Sequence, residues 1–406
     1  MLRCGLLGRK LGHSYSPAIH AQLGDYSYVL MEKEPEELQD FLTGDHFDGI
    51  NVTIPYKKAV VPYCDALSPT AKALGSVNTL VRRADGTLYG DNTDYDGFAA
   101  LVRRSGKDMT GCKALVLGSG GASVTVCAVL EAMGAQAVVI SRSGEDNYDN
   151  LHRHADAAII VNTTPVGMYP RNGESPVDLT LFPQCRAVYD LIYNPARTAL
   201  MLQAEALGIP AYGGLHMLVA QAKRAAELFT GTAIDDGVID TIRASLERKM
   251  QNIVLIGMPG CGKSSVAAAL GKVLEREVHD SDALVEELAG MPIPEIFSTQ
   301  GEAAFRALET EAIAQLSRRS GIILATGGGC VTREENYPLL HQNGVLFWLQ
   351  RDIDRLPTDG RPLSQSGKLQ AMYTQRAPLY ARFADHCIDN NGTLEDTVAQ
   401  IKEVMA

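Results

Sequence analysis

The chain of 406 residues has no apolar run approaching the roughly 18 residues that a spanning helix needs, which excludes a helical membrane protein. It has no C-x-x-C pair and no cysteine–histidine spacing of a zinc site. Its eight cysteines (4, 64, 112, 127, 185, 261, 330 and 387) are scattered, and read as small buried hydrophobes in a reducing compartment. Positive charge is not in excess. With 37 Lys and Arg against 48 Asp and Glu, the net charge of −11 argues against a nucleic-acid surface and leaves room only for local basic pockets. There is no Pro-, Gly- or Ser-rich linker, no internal repeat and no low-complexity tract. The opening Met1-Leu-Arg-Cys-Gly-Leu-Leu-Gly is too short and too glycine-punctuated for a signal peptide, so a cytosolic location is expected. What is present is an ordinary globular composition, 46% hydrophobic and 21% charged, at a length that suggests two or three domains.

Short apolar strands alternate with helical patterns along the whole chain. Gly5-Leu-Leu-Gly8 ends a first strand, residues 17–23 suggest a helix, and residues 49–54 read as another strand. Leu115-Val-Leu, Ala137-Val-Val-Ile, Ala157-Ala-Ile-Ile-Val and Ala187-Val-Tyr-Asp190 follow as buried strands, with helices expected over 124–133, 217–229 and 234–249. This alternation predicts an α/β fold with doubly wound parallel sheets.

One stretch organises the second part. The apolar run Ile253 to Ile256 empties into Gly257-Met-Pro-Gly260-Cys-Gly262-Lys263-Ser264-Ser265, and a helical pattern follows. That is a P-loop in its strand–loop–helix context. The glycines let backbone N–H groups and a helix N-terminus face phosphate oxygens, Lys263 reaches the outer phosphates, and Ser264 offers a hydroxyl to Mg2+. An ATP site is expected there.

Upstream, Gly118-Ser-Gly120-Gly121-Ala122 lies between a strand and a helix as a dinucleotide-type turn, without the full G-x-G-x-x-G spacing. The next strand ends Ser141-Arg142-Ser143, where an arginine suits the 2′-phosphate of NADP better than the ribose of NAD. Three further strings stand nearby: His13-Ser14-Tyr-Ser16-Pro17, Asn51-Val-Thr53-Ile-Pro55-Tyr-Lys57, and Gly90-Asp91-Asn-Thr-Asp94. The second is expected to put Asn, Thr and Lys on outward positions of a strand end. Each string alone reads more readily as ordinary loop chemistry than as catalysis.

Together with Ser76-Val-Asn78-Thr79, Asn162-Thr-Thr-Pro-Val-Gly167-Met168 and Met217-Leu-Val-Ala-Gln221, they make residues 1–250 resemble shikimate dehydrogenase along their length. The resemblance implies a substrate lobe over 1–98 and 217–250 and a Rossmann-type NADP lobe over 99–216. It implies that Ser14, Ser16, Thr53, Asn78, Tyr193 and Gln221 hold the substrate, with Lys57 and Asp94 as catalytic dyad. The cofactor would lie on Gly118, Gly120, Gly121, Ala122, Ser141, Arg142 and Met168. Reducing a ketone creates an alkoxide that needs a proton donor, which Lys57 can be while Asp94 holds its ammonium. The half departs from the family in trimmed segments near 40–50 and 143–156, in lacking a second arginine after Arg142, and in carrying His216 where a small residue is common.

After the P-loop come His279-Asp280-Ser281-Asp282, then Gly301-Glu-Ala-Ala-Phe305-Arg306 with Glu309 one turn on. Ala325-Thr-Gly327-Gly328-Gly329, Arg361-Pro362-Leu363 and Gln375-Arg376-Ala-Pro-Leu379-Tyr380 follow. In this order they make residues 251–406 resemble shikimate kinase. The resemblance implies that Lys263, Ser264 and Ser265 with Gly257, Gly260 and Gly262 hold ATP, and that Ser264 and Asp280 serve Mg2+. Asp282 would bind the substrate hydroxyls and take the proton, and Arg306 and Arg376 would clamp the carboxylate. Gly328 and Gly329 would approach the ring, and Arg361, in a shortened lid at about 351–364, would close over the transferred group.

The sequence thus predicts two consecutive enzymes on one chain. One reduces 3-dehydroshikimate with NADPH, the other phosphorylates shikimate with ATP, and both take small molecules rather than nucleic acid or membrane as partners. An NAD-linked quinate/shikimate dehydrogenase fused to a kinase is disfavoured by Arg142 and the Ser14/Ser16 pair. Retention of one half as a mere binding module is disfavoured by the presence of Lys57, Asp94, Lys263 and Asp282.

Overall fold

A computed structural model describes residues 1–12, 14–356 and 366–405. The chain separates by contact density into two compact units, Met1–Val166, Ser175–Tyr193 and Gln203–Ser245 in the first, and Gly167–Glu174, Asn194–Leu202 and Leu246–Ala406 in the second. Two short segments that precede residue 250 are thus counted with the second unit. Arg197 ties one of them in, its guanidinium donating to the carbonyls of His341 and Gly344 at 2.9 Å each.

The first unit holds two sheets. The N-terminal one is mixed, in the order β2-β1-β3-β5-β6-β4, built from β1 (Arg3–Gly8), β2 (Ser27–Glu32), β3 (Gly49–Val52), β4 (Ala66–Leu67), β5 (Thr79–Arg82) and β6 (Leu88–Asp91). The β1–β2 and β1–β3 pairs are parallel, whereas β3–β5 and β5–β6 are antiparallel. The other sheet is wholly parallel, in the order β11-β10-β9-β7-β8. It comprises β7 (Lys113–Leu117), β8 (Gln136–Ile140), β9 (Ile159–Asn162), β10 (Ala187–Asp190) and β11 (Ala211–Gly213). Its central strands β9 and β10 are buried along their length, which is why they read as continuous apolar runs rather than alternating ones.

The second unit has one parallel sheet, β13-β14-β12-β15-β16, from β12 (Asn252–Ile256), β13 (Val278–Asp280), β14 (Ile323–Ala325), β15 (Gly344–Gln350) and β16 (His386–Asp389). Strand β12 is central and buried throughout, so its C-terminal end opens in the middle of the sheet edge where ligands of such folds bind. Fully buried Ile253, Leu255, Ile323, Leu324, Leu346 and Phe347 form its core, each such side chain contributing about 1.5–3 kcal/mol by leaving water.

The α/β class is as expected, with two sheets wholly parallel and the N-terminal one mixed, and three local readings are corrected. The first helix is Ser16–His20, not 17–23. Strand β3 ends at Val52 because Pro55, with no N–H to donate, cannot extend a ladder. Asn51 consequently lies inside the sheet, 5% exposed, while Thr53 and Lys57 follow in the turn beyond it. Cysteine burial is also uneven, with Cys4, Cys112, Cys261 and Cys330 buried but Cys387 exposed. Among the described residues no helix is long and apolar enough to cross a membrane.

Candidate active sites

A cavity of about 370 Å3 opens in the first unit over the C-terminal ends of β1 and β3. Ser14, Ser16, Thr53, Lys57, Asn78, Asp94, Tyr193 and Gln221 all line it, so the eight side chains expected to act on the substrate are brought together. The helix Thr93–Ser105 begins immediately after β6 and places Asp94 in its first turn, where the helix dipole favours a carboxylate. Lys57 Nζ meets Asp94 Oδ2 at 2.5 Å, with the two side chains 31% and 18% exposed. Partial burial makes this contact stronger than a surface pair, and it aims the ammonium into the cavity.

Asn78 does structural and site work at once. Its Oδ1 accepts the backbone N–H of Thr93 at 2.7 Å, capping the helix that carries Asp94, and its Nδ2 donates to Thr93 Oγ1 at 3.1 Å. Gln221 comes from the helix Leu215–Thr230, its Nε2 held on the Leu218 carbonyl at 2.8 Å. Tyr193 stands edge-on to Tyr15, and burial pushes its hydroxyl pKa upward, keeping it protonated and able to donate. The residues that sequence reading misses are Lys10, Leu11 and Tyr28. The first two line the cavity, and Tyr28 Oη donates to Asn51 Oδ1 at 2.8 Å behind it. Only the fold could reveal them, because none stands in a recognisable string.

The glycine turn follows β7. Gly118 has a φ of +102°, and a β-carbon there would meet Thr164 Cγ2 at 2.9 Å, so only glycine fits. Gly120 starts the helix Gly121–Ala132, and neither Gly120 nor Gly121 has a heavy atom within 4 Å of an added β-carbon. The backbone there can therefore be approached closely, as an anion-binding turn requires. Ala122 reaches the cavity. Ser141 and Arg142 follow β8, with Arg142 exposed. Met168 is 45% exposed and falls in the segment Gly167–Glu174, which is counted with the second unit.

In the second unit the loop after β12 turns at Gly257, Gly260 and Gly262, whose φ values are +147°, +83° and +98°. The helix Lys263–Leu274 starts there, with Ser264 and Ser265 exposed in its first turn. Lys263 is buried, its Nζ donating to the carbonyls of Gly257 at 2.8 Å and Met258 at 3.0 Å. Ser264 Oγ donates to Asp280 Oδ2 at 2.8 Å, so the two residues expected to serve a metal are already neighbours. Asp280 Oδ1 accepts the backbone N–H of Asp282 and caps the helix Ser281–Ala289, turning Asp282 inward.

Burial, and then the charges of Asp280 and Glu309, push the Asp282 carboxyl pKa up to about 6, with Lys263 and Arg306 opposing the rise. Glu309 is fully buried and its pKa is likewise raised by burial, opposed by Arg306, which donates to Glu309 Oε2 at 2.8 Å. Asp282 Oδ1 and Glu309 Oε1 are both buried without a hydrogen-bond partner. They face one point, since a β-carbon added at Gly327 would lie 2.5 Å from each. Gly329 makes room in the same way for Arg306, whose Nη1 would be 2.0 Å from such a carbon. Arg376 Nη1 donates to the Gly328 carbonyl at 3.0 Å, and Tyr380 Oη donates to the same oxygen. Lys263, Asp282, Arg306, Gly328, Gly329 and Arg376 thus converge. Arg361 lies outside the described residues. The roles of Glu309 and Gly327 are not readable from sequence, although both sit beside residues that are.

Comparison with known proteins gives the families that the chain resembles. Residues 259–406 match the family model for shikimate kinase, and residues 6–80 match that for the shikimate dehydrogenase substrate binding domain. The chain is 34% identical over 271 residues to a shikimate dehydrogenase (NADP(+)) of Caldanaerobacter subterraneus subsp. tengcongensis, covering 96% of that protein and 60% of this chain. It is similar, at 36% identity and a TM-score of 0.58, to a chorismate mutase/shikimate 5-dehydrogenase fusion protein from Clostridium acetobutylicum, covering 61% of this chain and 97% of that one. It is also similar to a shikimate 5-dehydrogenase of Thermus thermophilus solved with NADP(H) and shikimate, at 33% identity, a TM-score of 0.56, and coverage of 60% and 99%. The open helix N-terminus at Gly120 and Gly121 and the buried cation at Lys263 fit the cofactors of these families, NADP(H), and ATP with Mg2+. The chain belongs to the shikimate dehydrogenase family and carries a shikimate kinase domain behind it, an oxidoreductase joined to a phosphotransferase.

Proposed function

We propose that the chain catalyses two consecutive steps, reduction of 3-dehydroshikimate to shikimate and phosphorylation of shikimate to shikimate 3-phosphate, in the cytoplasm. The observation that supports this most is that each compact unit gathers its own polar constellation, the first around a cavity of about 370 Å3. Lys57 and Asp94 mark one, and Lys263, Asp282 and Arg306 mark the other.

In the first site Ser14, Ser16, Asn78 and Gln221 bind the carboxylate and hydroxyls of the substrate, and Tyr193 closes over the ring. The Gly118–Ala122 turn and Arg142 would hold NADPH, which would supply the hydride. Lys57 gives a proton to the oxygen that becomes the new hydroxyl, while Asp94 stabilises the ammonium until transfer and orients it. The lysine is partly exposed, so it recovers its proton from water.

In the second site Arg306 and Arg376 hold the shikimate carboxylate by bidentate hydrogen bonds, for which guanidinium is shaped. Asp282 accepts the proton of the attacking hydroxyl, and Glu309 fixes Arg306 in place. Lys263 would neutralise the phosphates of ATP and Ser264 and Asp280 would hold Mg2+, a pair that would supply the phosphoryl group. Arg361, outside the described residues, is assigned to the transferred group by the family resemblance.

Reciprocal single substitutions test this reading. Lys57→Met removes ketone reduction and leaves phosphorylation of added shikimate intact, while Lys263→Met does the reverse. Loss of both activities in either folded variant contradicts it.

A further inference from the structure

A second cavity, of about 430 Å3, opens in the first unit among the helices Thr93–Ser105, Leu215–Thr230 and Gly237–Met250. Its volume falls within the range of small-molecule sites, roughly 300–1,000 Å3. None of the residues assigned above lines it. Its charged lining has four cations and four anions, and six of these eight neutralise one another. Arg104 meets Asp240 at 3.1 Å, Lys223 meets Asp236 at 2.7 Å and Glu227 at 2.8 Å, and Arg224 meets Glu227 at 3.4 Å.

Two opposite charges are left over. Asp96 and Arg103 line the cavity and make no ion pair or side-chain hydrogen bond among the described residues. They stand seven residues apart on one helix, hence on the same face about 10 Å apart along its axis, with Ala100 leaving room between them. A third group lines the same space. His216 is only 7% exposed, yet its Nδ1 is buried without a hydrogen-bond partner, Asp240 being 4.0 Å away. Burial pushes the His216 pKa down to about 4, so it offers a neutral ring nitrogen rather than a charge. A phosphate-like dianion would face four carboxylates here. An apolar molecule would strand the imidazole nitrogen and desolvate both free charges, at a cost of several kcal/mol. A molecule with one carboxylate and one ammonium matches Arg103, Asp96 and the imidazole together.

The cavity is also placed to act on the first site. The helices that line it carry Asp94 and Gln221 into the substrate cavity from their other faces. They cross tightly, since a β-carbon added at Gly97 would sit 2.8 Å from the Met217 carbonyl oxygen. A ligand that shifts one helix therefore shifts the other, and with it the dyad.

We propose that this cavity is a second ligand site for a small zwitterion, of the class of free α-amino acids, and that its occupancy alters substrate binding at the first site. The binding half stands on the cavity alone, whereas the kinetic half rests on the ketone-reduction reading.

The test titrates the full chain calorimetrically with the standard L-α-amino acids at millimolar concentration, and with the N-acetyl and amide forms of any that bind. At least one amino acid is expected to bind with one site per chain. Blocking either end, or the substitutions Arg103→Ala and Asp96→Asn, should each weaken it about tenfold or more, as loss of a charge-assisted contact does. The KM for 3-dehydroshikimate should change on saturation with that amino acid, and the change should vanish in Arg103→Ala. No binding by any amino acid, or binding indifferent to both substitutions, overturns the site. Binding that leaves KM unaltered overturns the linkage. An inactive dehydrogenase that still binds the amino acid in an Arg103-dependent way would refute the ketone-reduction reading instead.

Discussion

Substitution of Gly327 by alanine should impair phosphorylation without removing any catalytic group. The glycine is not among those with a left-handed φ, so its backbone accepts alanine without strain. The new methyl, however, would lie 2.5 Å from Asp282 Oδ1 and 2.5 Å from Glu309 Oε1, whereas ordinary contacts lie roughly an ångström farther out. Glu309 cannot swing freely, because Arg306 holds its other oxygen at 2.8 Å. Asp282 must therefore turn away by about that ångström, or drag Glu309 and Arg306 with it. Overpacking of this kind costs about 1–3 kcal/mol of stability. Misplacing a reacting group by an ångström costs on the order of a hundredfold in rate. The assay compares ADP release with shikimate and ATP against NADPH oxidation with 3-dehydroshikimate in the same preparation. Phosphorylation should fall about a hundredfold while ketone reduction holds. Unchanged phosphorylation would refute the placement of Asp282 and Glu309 about a common point.

Two further outcomes follow from single groups. Because burial and the neighbouring Asp280 and Glu309 charges raise the Asp282 pKa to about 6, its proton-accepting form is full above that pH. As pH falls through it, kcat/KM for phosphorylation should drop about tenfold per unit, a limb that Asp282→Asn removes with the activity. Arg142→Ala should raise the KM for NADPH by roughly ten- to hundredfold and leave kcat nearly unchanged, since a charge-assisted contact to a phosphate contributes about 1.5–3 kcal/mol. Equal use of NADPH and NADH by the unmodified protein would contradict that contact.

Much of both sites is legible in the sequence because short strings map onto single turns. The P-loop is one turn between β12 and its helix, and Lys57 and Asp94 each close a string whose spacing brings them to the same strand ends. What the strings could not carry is anything made by side chains far apart in sequence. Glu309 matters because Gly327, on another element, leaves room for it, and Tyr28 because it reaches Asn51 across the sheet. Asn51 itself reads as outward, since a four-residue strand buried throughout has no alternation to reveal which way it faces. His216 is visible only as an odd residue, and its cavity depends on three helices at once.

The most direct test of two successive activities on one chain is a single reaction started with 3-dehydroshikimate, NADPH, ATP and Mg2+ and followed by mass spectrometry of the products. The account predicts shikimate 3-phosphate, with one NADPH oxidised and one ATP consumed for each molecule formed, and accumulation of shikimate when ATP is left out. Oxidation of NADPH that never yields the phosphate, or failure to oxidise it while added shikimate is phosphorylated, would contradict it.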